Sequence, residues 1–333
     1  MSTLIDTYGR SHRDLRVSLT DRCSLRCTYC MPHDFAAWLP SEKLLRTDEL
    51  LTVIEVATSA GIDEVRLTGG EPLLRPDIAD IVTRINALPK APKLSLTTNG
   101  LRLAELAGPL ADAGLMRVNV SLDTLNRERF KMLTFRDRIG DVFKGLSAAR
   151  EAGLFPIKIN SVLMPAVNED EAPALLRWAL AQGFSLRFIE QMPLDAGGIW
   201  NRSTMVTADD IFAALSTNYA LTPVPARGSA PAEEFYINGG PETVGIIASV
   251  TRPFCGSCDR LRLTSDGQLR SCLFSHEEMD LRRVLRNKEL SKEEIHQEIA
   301  DRFHKTVLGK LPGHGINDLN FIQPFRPMSA IGG

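Results

Sequence analysis

Residues 14–32 read DLRVSLTDRCSLRCTYCMP. The first seven form a buried-strand pattern that ends just before a loop holding Cys23, Cys27 and Cys30. Structural zinc sites prefer four ligands, and iron–sulfur clusters are usually held by four thiolates. The stretch supplies three, so the fourth ligand must come from elsewhere.

Downstream of this loop, strands and helices alternate. A helix with Thr47 as N-cap buries Leu50, Ile54 and Ala57 and stops at Gly61. EVRLTGG (64–70) is a strand, followed by a helix over 77–88. KLSLTTNG (93–100) leads to a helix over 103–113 that Gly114 closes, and MRVNVSLD (116–123) to helical segments ending at Gly153. IKINSVL (157–163), a helix over 169–182 and SLRFIEQM (185–192) complete six β/α units. This alternation implies a parallel sheet with right-handed crossovers. An open doubly wound sheet and a barrel-like curl both satisfy it, and either gathers ligands at the C-terminal ends of the strands.

The pattern changes after residue 217. LTPVPARGSAPAEE (221–234) reads as a linker or exposed loop, TVGIIASV (243–250) as a strand, and RLRLTSDGQLRSCLF (260–274) as a hairpin turned at Ser265-Asp266-Gly267. Charged helices are expected near 277–287 and 291–305. Two domains follow, 1–220 and 221–333.

Across 333 residues, 44% are hydrophobic, 24% are charged and the net charge is −2. That is ordinary soluble composition, without the basic field that recruits nucleic acid or an anionic membrane. No apolar run reaches the ~20 residues of a membrane span, and the N-terminus lacks the apolar core of a signal peptide. A cytoplasmic protein is expected. All six cysteines fall into two sets, Cys23, Cys27 and Cys30, then Cys255, Cys258 and Cys272. Short spacings of this kind point to metal rather than to disulfides.

A four-iron cube held by three thiolates keeps one iron open to an exogenous group, and a zinc site completed by a remote ligand such as His33 fits the first spacing as well. The second set has C-x2-C-x13-C spacing. One of His276, His296, His304 or His314 could complete a zinc site there, or a second cluster could present its own open iron. Arg260 and Arg262 alternate on one strand face, where guanidinium groups can pair with a polyphosphate. Arg10, Arg66 and Lys158 are candidates to join them. Polar residues recur at successive strand ends: Thr97 and Asn99, Ser121 and Asp123, Lys158 and Asn160, then Arg187, Glu190 and Met192.

The first triplet, with Tyr29 before its last cysteine, and the segment Gly69-Gly70-Glu71-Pro72 resemble the radical S-adenosylmethionine (SAM) superfamily. The resemblance implies that SAM is the missing ligand. Its cleavage by an electron from the cluster would give a 5′-deoxyadenosyl radical that abstracts hydrogen from substrate. The second triplet, DGQLRSCL and the terminal Gly332-Gly333 resemble one branch, the GTP 3′,8-cyclase family of molybdenum cofactor biosynthesis, and the likeness runs essentially end to end.

That resemblance implies a partial (β/α)6 TIM-like barrel with a C-terminal α+β extension carrying a second 4Fe–4S cluster across its mouth. It implies a lyase that converts GTP to (8S)-3′,8-cyclo-7,8-dihydroguanosine 5′-triphosphate. It assigns one cluster to Cys23, Cys27 and Cys30 and the other to Cys255, Cys258 and Cys272. SAM contacts fall on Tyr29, Gly70, Ser121 and Met192, and GTP contacts on Arg10, Arg66, Thr97, Lys158, Arg187, Arg260, Leu261 and Arg262. Gly332 and Gly333 would reach into the active site and serve turnover. A reducing electron donor, a downstream cyclic pyranopterin monophosphate synthase and a homodimer are also implied. Asp259 departs from the family pattern, because an acid there adds negative charge near the proposed phosphates. Two rival readings remain: a radical SAM enzyme acting on a peptide or another small molecule through an electron-transferring second cluster, and a zinc-dependent module that reads nucleic acid. The paired arginines weigh against a peptide, and the charge balance weighs against the module.

Overall fold

Alternation within the first six strands sorts their side chains onto two faces. In the computed structural model, which describes residues 3–31, 38–195, 197, 198 and 200–332, these are β1 (Asp14–Ser18), β2 (Glu64–Thr68), β3 (Lys93–Thr98), β4 (Arg117–Ser121), β5 (Lys158–Val162) and β6 (Ser185–Ile189). Leu15, Val17, Val65, Leu67, Leu94, Leu96, Val118 and Val120 are buried in the main core. That core sits beneath α1 (Thr47–Ser59), α2 (Ile78–Asn86), α3 (Leu103–Asp112), α4 (Arg127–Thr134), α5 (Ile139–Glu151) and α6 (Ala172–Gln182). The intervening residues, Arg16, Arg66, Thr97, Ser121, Asn160 and Arg187, face one cavity of about 310 Å³. Period-two alternation thus puts oil outside and charge inside.

Helix α7 (Ala208–Ser216), which the sequence reading did not anticipate, starts at a capping box of Thr207 and Asp210. The rest of the chain supplies β7 (Leu221–Pro223), β8 (Glu233–Ile237), β9 (Thr243–Ile247), β10 (Arg260–Leu263), β11 (Gln268–Arg270), β12 (Met279–Asp280), α8 (Leu281–Leu285), α9 (Lys292–Leu308) and α10 (Met328–Ile331). The sheet order is β12-β11-β10-β1-β2-β3-β4-β5-β6-β9-β8-β7. The C-terminal third therefore extends both edges of a single sheet, β10 parallel to β1 and β9 parallel to β6. Ile247 from one edge and Arg262 from the other line the same cavity. The sheet must curl for them to meet, which decides for the partial barrel over the flat doubly wound alternative.

Three local expectations are corrected. Arg46, not Thr47, is the N-cap of α1, because Glu49 folds back onto the Arg46 backbone while the Thr47 hydroxyl bonds Asp77. The 221–234 stretch is not all loop: β7 pairs with β8. The helix expected over 277–287 is shortened to α8, because Met279 and Asp280 first pair with β11. A second, smaller core of Leu194, Met205, Val250, Leu273, Phe274, Ile316 and Ile331 ties the C-terminal segments together.

Candidate active site

The loop after β1 is fixed by backbone. Gly70 N–H donates to Thr20 O and Glu71 N–H to Arg22 O, both at 2.7 Å. A Cβ on Gly70 would lie 2.4 Å from the carbonyl oxygens of both Asp21 and Arg22, and one on Gly69 would lie 2.4 Å from that of Thr20. The glycines therefore admit the cysteine loop itself. Glu71, buried, accepts from Thr98 Oγ1 and Asn99 N–H at 2.7 Å and from Leu73 N–H at 3.0 Å, locking this turn to the end of β3.

Cys23 Sγ receives Leu25 N–H at 3.4 Å and Asn99 Nδ2 at 3.8 Å. A backbone hydrogen bond links Ser329 to Cys30. Burial pushes the Cys23 thiol up to about 11, with Glu71 adding to it, and the Cys30 thiol up to about 12. Cys27 is driven well above the ordinary thiol range by burial and by Asp123. Tyr29 OH donates to Asp123 Oδ2 at 2.6 Å. Burial raises both nearby acids, Glu71 and Asp123, to about 6.

The second trio does not lie across the mouth. Arg260 is opposite Asp14, the first residue of β1, and β10 runs parallel to β1. Cys258 therefore belongs to the N-terminal end of the strands, and residues 248–259 must travel the length of the barrel from the end of β9. Antiparallel β11 then returns Cys272 towards the same end. Cys255, Cys258 and Cys272 line the same cavity as the first trio, on the far side of the arginines. Burial raises Cys258, but Arg260 and Lys310 outweigh it and bring the thiol to about 7.

Of the four proposed histidine donors, His314 lines the cavity. Its Nδ1 accepts Ile316 N–H, so Nε2 carries the proton and donates to Ser249 O at 3.1 Å. Both ring nitrogens are committed, and neither is offered to a metal. His276 bonds Ile322 O, while His296 and His304 belong to α9. His33 lies outside the described residues.

Between the trios, register sets three arginines abreast: Arg262 on β10, Arg16 on β1 and Arg66 on β2. Burial and then mutual repulsion bring Arg16 down to about 9, with the same direction and value for Arg262 beside Arg16. Among the described residues, Arg16 Nε and one Arg260 Nη are buried without a hydrogen-bond partner. Arg66 and Arg187 line both this cavity and a second one at the strands' N-terminal ends, where Lys158 lies. Tyr29, Gly70, Ser121, Met192, Thr97, Arg260 and Arg262 all line the main cavity.

Three predicted contacts do not line the main cavity: Lys158 faces only the second, and the other two line neither. Leu261 is fully buried on the outward face of β10, in the main core. Arg10 is spent on protein atoms: Asp6 at 2.5 Å and the carbonyls of Cys255, Leu311 and Pro312. Arg16 is the cavity arginine that the sequence reading missed. Its signal was present, a charged residue between Leu15 and Val17 in a strand whose neighbours are fully buried. Asp259 faces the lower cavity, and its carbonyl accepts from Arg13 and Asp14 N–H, so it stands away from the arginine row.

The tail enters from above. Arg262 Nη1 donates to Gly332 O at 2.5 Å. Gly332 has φ +88°, and a Cβ there would lie 2.9 Å from Ser18 Cβ. Gly333 lies outside the described residues.

The donor set fits iron–sulfur chemistry. All six thiols are free, those within each trio feel one another's charge, and backbone or amide N–H groups point at Cys23. Among the described residues, no three His, Cys, Asp or Glu side chains are grouped as for a single metal ion. A multi-iron core asks for a looser grouping than one zinc.

A curled α/β sheet with three bare thiols in its first loop and a glycine turn pressed against them defines the radical SAM class. The Radical SAM superfamily profile matches residues 17–179, and the Molybdenum Cofactor Synthesis C profile matches residues 184–314. Among solved structures, Streptococcus suis SuiB bound to S-adenosylmethionine superposes with TM-score 0.63 at 14% identity, covering 97% of this chain and 78% of that one. The anSMEcpe structure with bound AdoMet gives TM-score 0.59 at 16% identity, with 91% and 82% covered. These share the fold. In sequence, a GTP 3′,8-cyclase of Streptomyces coelicolor is 58% identical over 333 residues, covering 99% of this chain and 96% of its own. A GTP 3′,8-cyclase 2 of Mycobacterium tuberculosis is 53% identical, with 99% and 92% covered. The chain belongs to the GTP 3′,8-cyclase family.

Proposed function

We propose that this protein is a GTP 3′,8-cyclase, a lyase that takes the first step of molybdenum cofactor biosynthesis. The observation that carries it is the arginine row Arg262–Arg16–Arg66, set between two thiol trios in one cavity. Three guanidinium groups abreast in one cavity, each with its charge penalised by desolvation, repel one another unless a polyanion joins them, and a triphosphate supplies that charge in bidentate form. An uncharged peptide would leave the row uncompensated.

Cys23, Cys27 and Cys30 would hold a 4Fe–4S cluster, which would supply the electron for reductive cleavage of SAM. Tyr29, Gly70, Ser121 and Met192 shape the SAM side of the cavity. Cys255, Cys258 and Cys272 would hold a second 4Fe–4S cluster, which would offer an open iron to the nucleotide. Arg16, Arg66, Lys158, Arg187, Arg260 and Arg262 hold the nucleotide, with Thr97 on the same face. Gly332 fills the narrow space beside Arg262, where a side chain would not fit, and Gly333 serves turnover with it. Residues 1–220 form the SAM unit and 221–333 the nucleotide-facing unit, although their strands share one sheet. Among the described residues no helix is long and apolar enough to cross a membrane. A cytoplasmic enzyme with a reducing electron donor, a homodimeric state and a downstream cyclic pyranopterin monophosphate synthase completes the reading.

Anaerobic incubation of reconstituted protein with GTP, SAM and dithionite, followed by mass analysis, tests it. Formation of 5′-deoxyadenosine together with cyclised nucleotide is expected. 5′-Deoxyadenosine formation indifferent to GTP, with no cyclised product, would contradict it.

A further inference from the structure

Both trios are half-buried, yet different groups donate to their sulfurs. Around the first, the donors are neutral: Leu25 N–H, the Asn99 amide and the backbone at Ser329. At the second, backbone donors at His314 and Arg260 are joined by two cations: the Arg260 side chain bonds Cys258, and Lys310 Nζ stands 3.6 Å from Cys258 Sγ while donating to the Arg260 carbonyl at 2.6 Å. Lys310 follows the end of α9 and is 4% exposed, so water does not replace either contact. Cys258 and Cys272 attract its charge, while Arg10 and Arg260 oppose it, and His12 faces it from the N-terminal segment.

The loop that carries Lys310 cannot swing away freely. Arg10 donates to the carbonyls of Leu311 and Pro312 on one side and of Cys255 on the other. Asp6, fully buried with Arg10, holds that guanidinium and also bonds His12 Nε2 at 3.1 Å. The N-terminal segment thereby fixes Lys310 against the second cysteine loop. The sequence reading had assigned Arg10 to the nucleotide, and the carbonyls it binds give it this bracing role instead.

We propose that Lys310 is a positioning residue of the second thiolate trio, whose ammonium holds Cys258 and raises the reduction potential of the cluster bound there. The inference rests on the two-cluster reading above. A fixed cation beside a thiolate ligand stabilises the more negative, reduced form of a cluster, and hydrogen bonds to its sulfurs act in the same direction. Reduction adds one electron, supplied in the test by dithionite, and breaks no bond.

The test uses full-length wild type, Lys310→Met and Lys310→Arg, reconstituted anaerobically with iron and sulfide. Iron is counted, and each protein is titrated with dithionite and mediators under electron paramagnetic resonance, without SAM or GTP. In Lys310→Met the first signal should stay in place. The second should become at least roughly tenfold harder to reduce at fixed potential, about 59 mV for one electron. Lys310→Arg should restore most of that shift. An unmoved second signal at full iron content in Lys310→Met overturns the inference. If Lys310→Met loses the second cluster, retention in Lys310→Arg supports the need for a cation, and loss in both reduces Lys310 to a packing role and overturns it. Wild-type iron sufficient for one cluster would overturn the two-cluster reading itself, and this inference with it.

Discussion

The two thiol trios share one cavity but sit in opposite electrostatic surroundings. Glu71 and Asp123 lie beside the first and push its thiols up after burial has already done so. Arg260 and Lys310 lie beside the second and pull Cys258 down to about 7. The acidic end suits a cationic sulfonium such as SAM, and the basic end suits an anionic nucleotide. One lumen can therefore orient two different small molecules head to head, because charge sorts them before shape does. The same contrast predicts which changes should hurt which half of the reaction.

The largest effect separates the trios. Cys27→Ala should abolish 5′-deoxyadenosine formation, whereas Cys258→Ala should keep SAM cleavage and lose cyclised product. Iron content should fall by about half in each, as expected when one ligand set is broken. Equal loss of SAM cleavage in both would merge the two sites into one.

Gly70→Ala comes next. Its Cβ would meet two backbone oxygens at 2.4 Å, so either the cysteine loop or the turn must move, at roughly 2–4 kcal/mol. The expected result is a lowered Tm and loss of the first cluster. Gly108→Ala on α3, with nothing within 4 Å, should be neutral or stabilising by about 0.5–1 kcal/mol.

Two arginines then sharpen the basic end. Arg16→Met should raise the KM for GTP roughly 10–100-fold, the range expected for losing a charge-assisted hydrogen bond. Its Tm should hold or rise, since burial without a partner penalises this charge. Arg10→Met should do the reverse, lowering Tm with little change in KM, because it breaks the buried ion pair with Asp6 and removes the side-chain donor to three carbonyls. An alanine appended after Gly333 should cut cyclisation about tenfold with cluster content unchanged, by crowding the passage that Gly332 already fills. Full activity would free the tail of any role in turnover.

The smallest effect is on stability alone. Burial, then Lys310, lowers His12 from 6.5 to about 4, despite Asp6. The unfolded chain therefore takes up a proton that the folded chain refuses. This contribution is intact above pH 6.5 and is lost as pH falls towards 4, on the order of 1–3 kcal/mol. His12→Gln should flatten the Tm profile in that window, and an unchanged slope would show His12 to be protonated in the fold.

Much of this was readable in advance because it is local. Strand alternation, the glycine ends of helices and the Ser265-Asp266-Gly267 turn are set within a few residues, and all six β/α units and the β10–β11 hairpin appear where the pattern put them. What depends on register between distant segments was not readable. Nothing near residue 260 says that its strand will lie parallel to β1, yet that pairing sets Arg262 beside Arg16 and sends Cys258 to the far end of the barrel. Arg10 was misread for the same reason: its carbonyl partners lie 245, 301 and 302 residues away. The glycines of the Gly69-Gly70 turn were noticed, but the neighbour they admit is backbone from the preceding unit.

The most direct test of this charge-sorted lumen is Mössbauer spectroscopy of iron-57-reconstituted, full-length protein, with SAM and GTP added one at a time. The account predicts two four-iron clusters, with SAM perturbing one iron site of the first and GTP perturbing one iron site of the second. A spectrum in which both ligands perturb the same cluster, or in which neither perturbs any, would contradict it.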